Sequence, residues 1–169
     1  MIVQALSYNT QKLKVGLFYQ GGIIVYVDNT ARQGMIAYNG GYSSTDLAWG
    51  PTGAYTQNDG YGYGYTNTQN AYNTLSPASN TALNTVWNAT FSGYSDWFLP
   101  SKTEAVYIFQ SKQYFSFWTG GTLWTSSGDL PGLADTAAWA QNFDGTQNSQ
   151  FRNATSNRRS IACRYISFT

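Results

Sequence analysis

Hydrophobic positions along this chain come in short bursts separated by polar turns, and their period changes from one stretch to the next. Residues 23–27, "IIVYV", are β-branched and aromatic, and a second run spans Met35 to Tyr38 after "DNTARQG". This predicts a hairpin whose loop is longer than a two-residue turn. Gly21 and Gly22 precede the first strand rather than follow it, so they are no dinucleotide fingerprint. Residues 39–65 keep no period; "WGPTG" and "YTQNDGYGYGY" predict a long ordered loop. "TNTQNAYNTL" then places Ala71, Tyr72 and Leu75 on one side, with Thr66 positioned to cap. "SNTALNTVWNATF" places Leu83, Val86 and Trp87 on another. Both read as amphipathic helices of weak propensity, because Asn and Thr compete for backbone hydrogen bonds.

The stretch "FSGYSDWFLPSKTEAVYIF" reads as a short apolar strand closed by Pro100, then a helix. Ser101 stands three residues before Glu104, the spacing of a capping box, and Val106, Ile108 and Phe109 supply apolar surface. A strand "TLWTSS", a polar loop "GDLPGLADT" and a strand "AAWAQNF" follow. A second polar loop, "DGTQNSQFRNATSNR", leads to a closing strand in which Ile161, Cys163 and Tyr165 alternate with Ala162, Arg164 and Ile166. The predicted fold is α+β: two or three helices packed on a small twisted, mostly antiparallel sheet with long loops. Residues 15–169 form the domain and 1–14 a strand or arm, with the GYSDW and LWTSS strands in one sheet.

At 169 residues the chain fits one domain with a real core. Nine basic and eight acidic residues make up only 10% of it, so no strong field points to nucleic acid. No apolar run approaches the roughly 20 residues that span a bilayer, so membrane insertion is not expected. Histidine is absent, which removes the commonest general base and any Ser-His or Cys-His nucleophile pair. Cys163 is the one cysteine, so neither an internal disulfide nor a cysteine zinc site can form. The N-terminus lacks the basic start and apolar core of a secretory leader.

"VGLFYQGGIIVYVD", "WG", "TNTQNAYNTL", "FSGYSDWFLPSKTEAVYIF", "LWTSS", "AWAQNFDGTQ" and "ACRYI" occur in this order. The series resembles the family of the C-terminal domain of the Legionella collagen-like adhesin. That family resembles the wider C-type-lectin-like group, which also holds formylglycine-generating enzymes and phage receptor-binding domains. The resemblance covers roughly residues 14–168. It implies a C-type-lectin-like fold that binds glycans or other surface ligands, commonly as a trimer, on fibres, stalks or virions. The expected function is therefore non-enzymatic recognition or attachment to a host glycan or receptor. The absent leader favours a virion surface, with a bacterial adhesin tip as the alternative. A purely structural capsid decoration or fibre cap is the rival role.

Candidate residues follow. Tyr61, Tyr63 and Tyr65 alternate with glycines and could present rigid aromatic surface to a sugar, or pack the loop onto the domain. Arg152, Arg158 and Arg159 give a local positive patch able to grip an acidic glycan. Calcium, which many C-type lectins use, would draw on Asp129, Asp135 and Asp144 with Asn142 and Asn148; no cofactor is otherwise implied. Asp144 is also carried as a ligand residue. Asp96 reads as a frame residue with Arg164 as partner, and Cys163 as a small buried hydrophobe rather than a reactive thiol.

Overall fold

Gln20 and Gly21 take positive φ values of 46° and 91°, as the two central residues of a type I′ turn require. That turn joins Phe18–Tyr19 (β1) to Gly22–Asp28 (β2). A strand of two residues leaves no period in the sequence, so β1 was not anticipated. The computed structural model describes residues 13–40, 46–116, 120–129, 136–156 and 158–168. The expected arm at 1–14 lies mostly outside the described residues, as does Asp135.

β2 pairs antiparallel with Gln33–Tyr38 (β3), as its pattern predicts. Asp28 Oδ1 closes the loop between them by accepting the amides of Thr30 and Ala31 at 2.8 and 3.0 Å. The first helix is Gly64–Leu75 (α1). Thr66 lies within it rather than capping it, because the helix starts two residues earlier, where the Gly64 amide donates to the Tyr165 hydroxyl at 3.1 Å. Ala82–Trp87 (α2) is capped by the Thr81 hydroxyl, which accepts from the Asn84 amide. Lys102–Gln110 (α3) carries the complete capping box: Ser101 Oγ accepts from the Glu104 amide, and Glu104 Oε2 from the Ser101 amide at 2.8 Å.

Thr122–Gly128 (β4) and Ala137–Asn142 (β5) fall where the sequence places them. The polar stretch after them holds a strand, Gln147–Phe151 (β6), that sequence analysis read as loop. β6 pairs with β5 along its whole length, from Ala137↔Phe151 to Gln141↔Gln147, and its half-exposed polar side chains give no hydrophobic signal. Arg158–Arg159 (β7) and Cys163–Ser167 (β8) complete the described strands.

These strands form two sheets, not one. The first has the order β1-β2-β3-β8 and is antiparallel throughout; the second, β6-β5-β4-β7, has a parallel β4–β7 pair. The expectation that GYSDW and LWTSS share a sheet is therefore wrong. LWTSS lies in β4, whereas Phe91 and Tyr94 bridge around a tight turn at Ser92 and Gly93. The chain then runs as a strap between the sheets. Phe98 exchanges both backbone hydrogen bonds with Cys163 of β8 at 2.9 Å, and the Pro100 carbonyl accepts from Ser126 of β4 at 2.6 Å. The motif is too short and its partners too distant in sequence for local pattern to reveal this.

Period-two alternation sorts the apolar residues into two cores. Ile24, Ile36, Trp124, Ala162 and Ile166 pack with Leu83 and Val86 of α2 in one; Ile23, Val25, Met35, Ala37, Leu123 and Cys163 pack with Ile108 of α3 in the other. The strap alternates too: Trp97 and Leu99 enter the first core and Phe98 the second. Beside it, Arg164 Nε donates to Asp96, Nη1 donates to Gln20 Oε1 at 2.8 Å, and the guanidinium lies 3.8 Å from the Tyr94 ring centroid. Asp96 thus ties the start of the strap to β8, the framing role its sequence position suggested, and Arg164 carries the link on to the β1–β2 turn at Gln20. No helix among the described residues is long and apolar enough to cross a membrane.

Candidate functional site

The Asn-Asp-Gly-Tyr-Gly-Tyr-Gly-Tyr stretch is a tied loop running into a helix. Asn67 of α1 clamps it, donating to the Asn58 carbonyl at 2.7 Å and accepting the Asn58 amide at 2.9 Å. Ser101 Oγ donates to the Gly60 carbonyl at 2.7 Å, and the Gly62 amide donates to Glu104 Oε1 at 2.8 Å. Gly64 must be glycine on grounds of space: a Cβ there would stand 2.2 Å from Glu104 Oε2 and 2.7 Å from the Phe98 ring.

The loop's three tyrosines separate. Tyr61 turns inward, its ring centroid 4.5 Å from Tyr26 and 6.0 Å from both Tyr107 and Tyr165. Tyr65, inside α1, packs against Trp87 and Phe98. Tyr63 alone stays largely exposed, at 45%. The alternating glycines therefore do not display three parallel rings, and of the three it is Tyr61 that borders an open cavity.

That cavity is a cleft of about 350 Å³ lined by Gln33, Gly34, Tyr61, Gly62, Tyr165 and Ile166, with Ser167 at its margin. Its back wall is organised by Glu104, which is fully buried. Glu104 Oε1 accepts the Tyr165 hydroxyl as well as the Gly62 amide, and Oε2 accepts the Ser101 amide. Burial drives the Glu104 carboxyl above its ordinary value, and hydrogen bonds from Tyr165, Ser101 and Gly62 oppose that rise. Burial, then the nearby Glu104 charge, pushes the Tyr165 hydroxyl up; burial also raises Tyr61, with neighbouring Tyr26 and Glu104 adding to it. Both phenols stay neutral at physiological pH. The site therefore presents uncharged aromatic faces, the Gln33 amide and the Ser167 hydroxyl. Such a set can stack on and hydrogen-bond a polyhydroxyl ring.

Other sequence candidates lie elsewhere. Arg152 is not part of a surface patch: it is 1% exposed. Its Nε donates to the Ala137 carbonyl and its Nη1 to those of Pro51 and Gly53, at 3.0, 3.2 and 2.8 Å, while the guanidinium lies 4.5 Å from the Trp49 ring centroid. Aromatic cover from Trp49 and Tyr55, about a hundred residues away in sequence, is what draws it inside. Arg158 is half-buried and bonds Gln150 and the Ser156 carbonyl, and Arg159 is half-buried beside Leu123 of β4. Asp144 shapes the β5–β6 turn by accepting both the amide and hydroxyl of Thr146, at 2.9 and 2.7 Å, and those bonds hold its carboxyl below the usual range. Asn142 bonds the same Thr146 hydroxyl. Asp129 stands at the opposite end of β5, its amide donating to Ala137, so the described calcium candidates do not converge. No group of three His, Cys, Asp or Glu suited to a metal occurs among the described residues. Cys163 is fully buried, which pushes its thiol well above the usual range.

Sequence reasoning missed Glu104, Tyr26, Tyr107 and Tyr165 as parts of the site. The one available signal was Tyr107, three residues after Glu104 and so on the same face of α3. No protein-family model matches the sequence. No curated protein matches it either.

Proposed function

We propose that this chain is a non-enzymatic recognition module that holds a surface glycan or other polyhydroxyl ligand in the Tyr61–Tyr165 cleft. One observation carries the reading. Tyr61 borders an open cleft yet is fixed by Tyr26, Tyr107 and Tyr165, so an aromatic face is offered with little freedom left to lose on binding. The resemblance to the adhesin-domain family and the C-type-lectin-like group points the same way. It extends the proposal to a trimeric attachment protein on a virion surface or, as the alternative, on a bacterial cell.

A structural role in an assembly is the second reading, favoured by Phe18 and Phe151, which are 65% and 64% exposed. Light scattering after size exclusion, followed by a glycan array that includes neutral and acidic sugars, separates the two. Array binding lost in Tyr61→Ala supports recognition. A stable oligomer silent on every glycan and on host cells supports the structural role. Turnover of any substrate by purified protein overturns the non-enzymatic reading.

A further inference from the structure

We infer, resting on the recognition reading above, that the ligand is an uncharged glycan chain of at least two sugar units. It crosses the Tyr61–Tyr107 ring pair from the cleft into a second groove. That groove, about 420 Å³, is lined by Asp59, Lys102, Thr103, Val106, Tyr107 and Gln147.

The two cavities are neighbours by construction. Tyr61 borders the first and Tyr107 the second, and their rings stand 6.0 Å apart, nearly perpendicular. The loop at 59–62 serves both, Asp59 facing the groove and Tyr61 and Gly62 the cleft. Its bonds to Ser101 and Glu104, and the Thr103 amide on the Asp59 carbonyl at 2.9 Å, fix the spacing of the two sites. A chain ligand would gain the second contact with its first already placed, so each further unit adds affinity at reduced entropic cost.

The chemistry of the groove selects the class of unit. The Lys102 ammonium sits 3.2 Å from the Trp139 ring centroid, held as a positioned donor. Asp59 Oδ1 is buried and has no hydrogen-bond donor among the described residues. A buried acceptor of this kind calls for one, and because Asp59 borders the groove, a turn of its carboxylate towards a sugar hydroxyl supplies it. Gln147 donates through Nε2 to the Lys102 carbonyl at 2.8 Å, which anchors the amide at the groove edge. Donor, acceptor and aromatic edge together match a hydroxylated ring. The Asp59 carboxylate offsets the Lys102 charge, so an anionic ligand would meet repulsion as well as attraction. An apolar ligand would bury both charges without replacing their water.

The test is calorimetric titration of the full chain with neutral gluco-, galacto- and manno-oligosaccharides of one to six units, at low and high salt. In at least one series Kd falls by about tenfold or more from one unit to three, a gain of about 1.4 kcal/mol, with little change across salt. Lys102→Met erases the gain with length, and amide chemical-shift mapping on the parent protein places the added units beside Lys102 and Gln147. Equal affinity for one and six units overturns the inference but leaves the cleft reading standing. Binding confined to acidic glycans, or fading with salt, overturns the uncharged class. Silence across every neutral series overturns the inference, and silence on the glycan array as well removes the cleft reading with it.

Discussion

Replacing Glu104 is the most direct probe of how the site is built. Its carboxylate accepts from the Ser101 amide, the Gly62 amide and the Tyr165 hydroxyl, and it is fully buried. Glu104→Ala leaves three donors without a partner. An orphaned buried donor costs about 1–3 kcal/mol, and such costs within one network are not additive, so about 4 kcal/mol is expected in total. For a chain of this length that corresponds to a fall in Tm of roughly 8–16 °C, read by calorimetry or circular dichroism. Glu104→Gln keeps the shape but points an amide NH2 at a donor, costing about 1–3 kcal/mol, and serves if the alanine variant fails to fold. The pH dependence gives an independent check. The folded carboxyl titrates above its ordinary 4.5, so the native state holds its proton more tightly than the unfolded chain. The stability from this linkage is fully present below 4.5 and is lost as pH rises through the folded value. The parent's advantage over Glu104→Gln should therefore shrink as pH rises from acid towards neutral. A Tm for Glu104→Ala within about 2 °C of the parent, or an advantage that grows with pH, would refute the network as described.

Arg152→Ala strips donors from the carbonyls of Ala137, Pro51 and Gly53 and uncovers Trp49; at about 1–3 kcal/mol per orphaned acceptor, not fully additive, a loss of about 3–5 kcal/mol is expected in urea unfolding. Asp96→Ala, by contrast, removes an ion pair whose carboxylate is 53% exposed, so its cost is only about 0.2–1 kcal/mol and shrinks further in high salt. Cys163 should resist iodoacetamide in the native protein and be modified rapidly only once denaturant unfolds it, followed by mass spectrometry.

What the sequence revealed was local. The capping box of Ser101 and Glu104, the hairpin around Asp28 and the alternation in β8 each depend on residues a few positions apart, and each appears where the pattern placed it. Two kinds of element escaped. β1 and β6 are respectively too short and too polar to carry a hydrophobic period. The division into two sheets, the burial of Arg152 and the second role of Glu104 arise from partners far along the chain, Tyr165 standing 61 residues from Glu104. A motif that satisfies a local rule conceals any distant duty, since its side chain already has an explanation. The sequence points to the tyrosine loop, but the positions of Tyr26, Tyr107 and Tyr165 decide that Tyr61 turns towards the cleft.

The strap from Trp97 to Pro100 has a consequence for how the protein comes apart. Its backbone is bonded to β8 on one side and β4 on the other, and its side chains feed both cores in turn. Peeling either sheet away strips partners from the segment that completes the other, so damage on one side propagates at once. Denaturation offers no half-way house in which one layer survives alone, and the amides of Phe98 and Cys163 should be among the last to exchange with solvent deuterium.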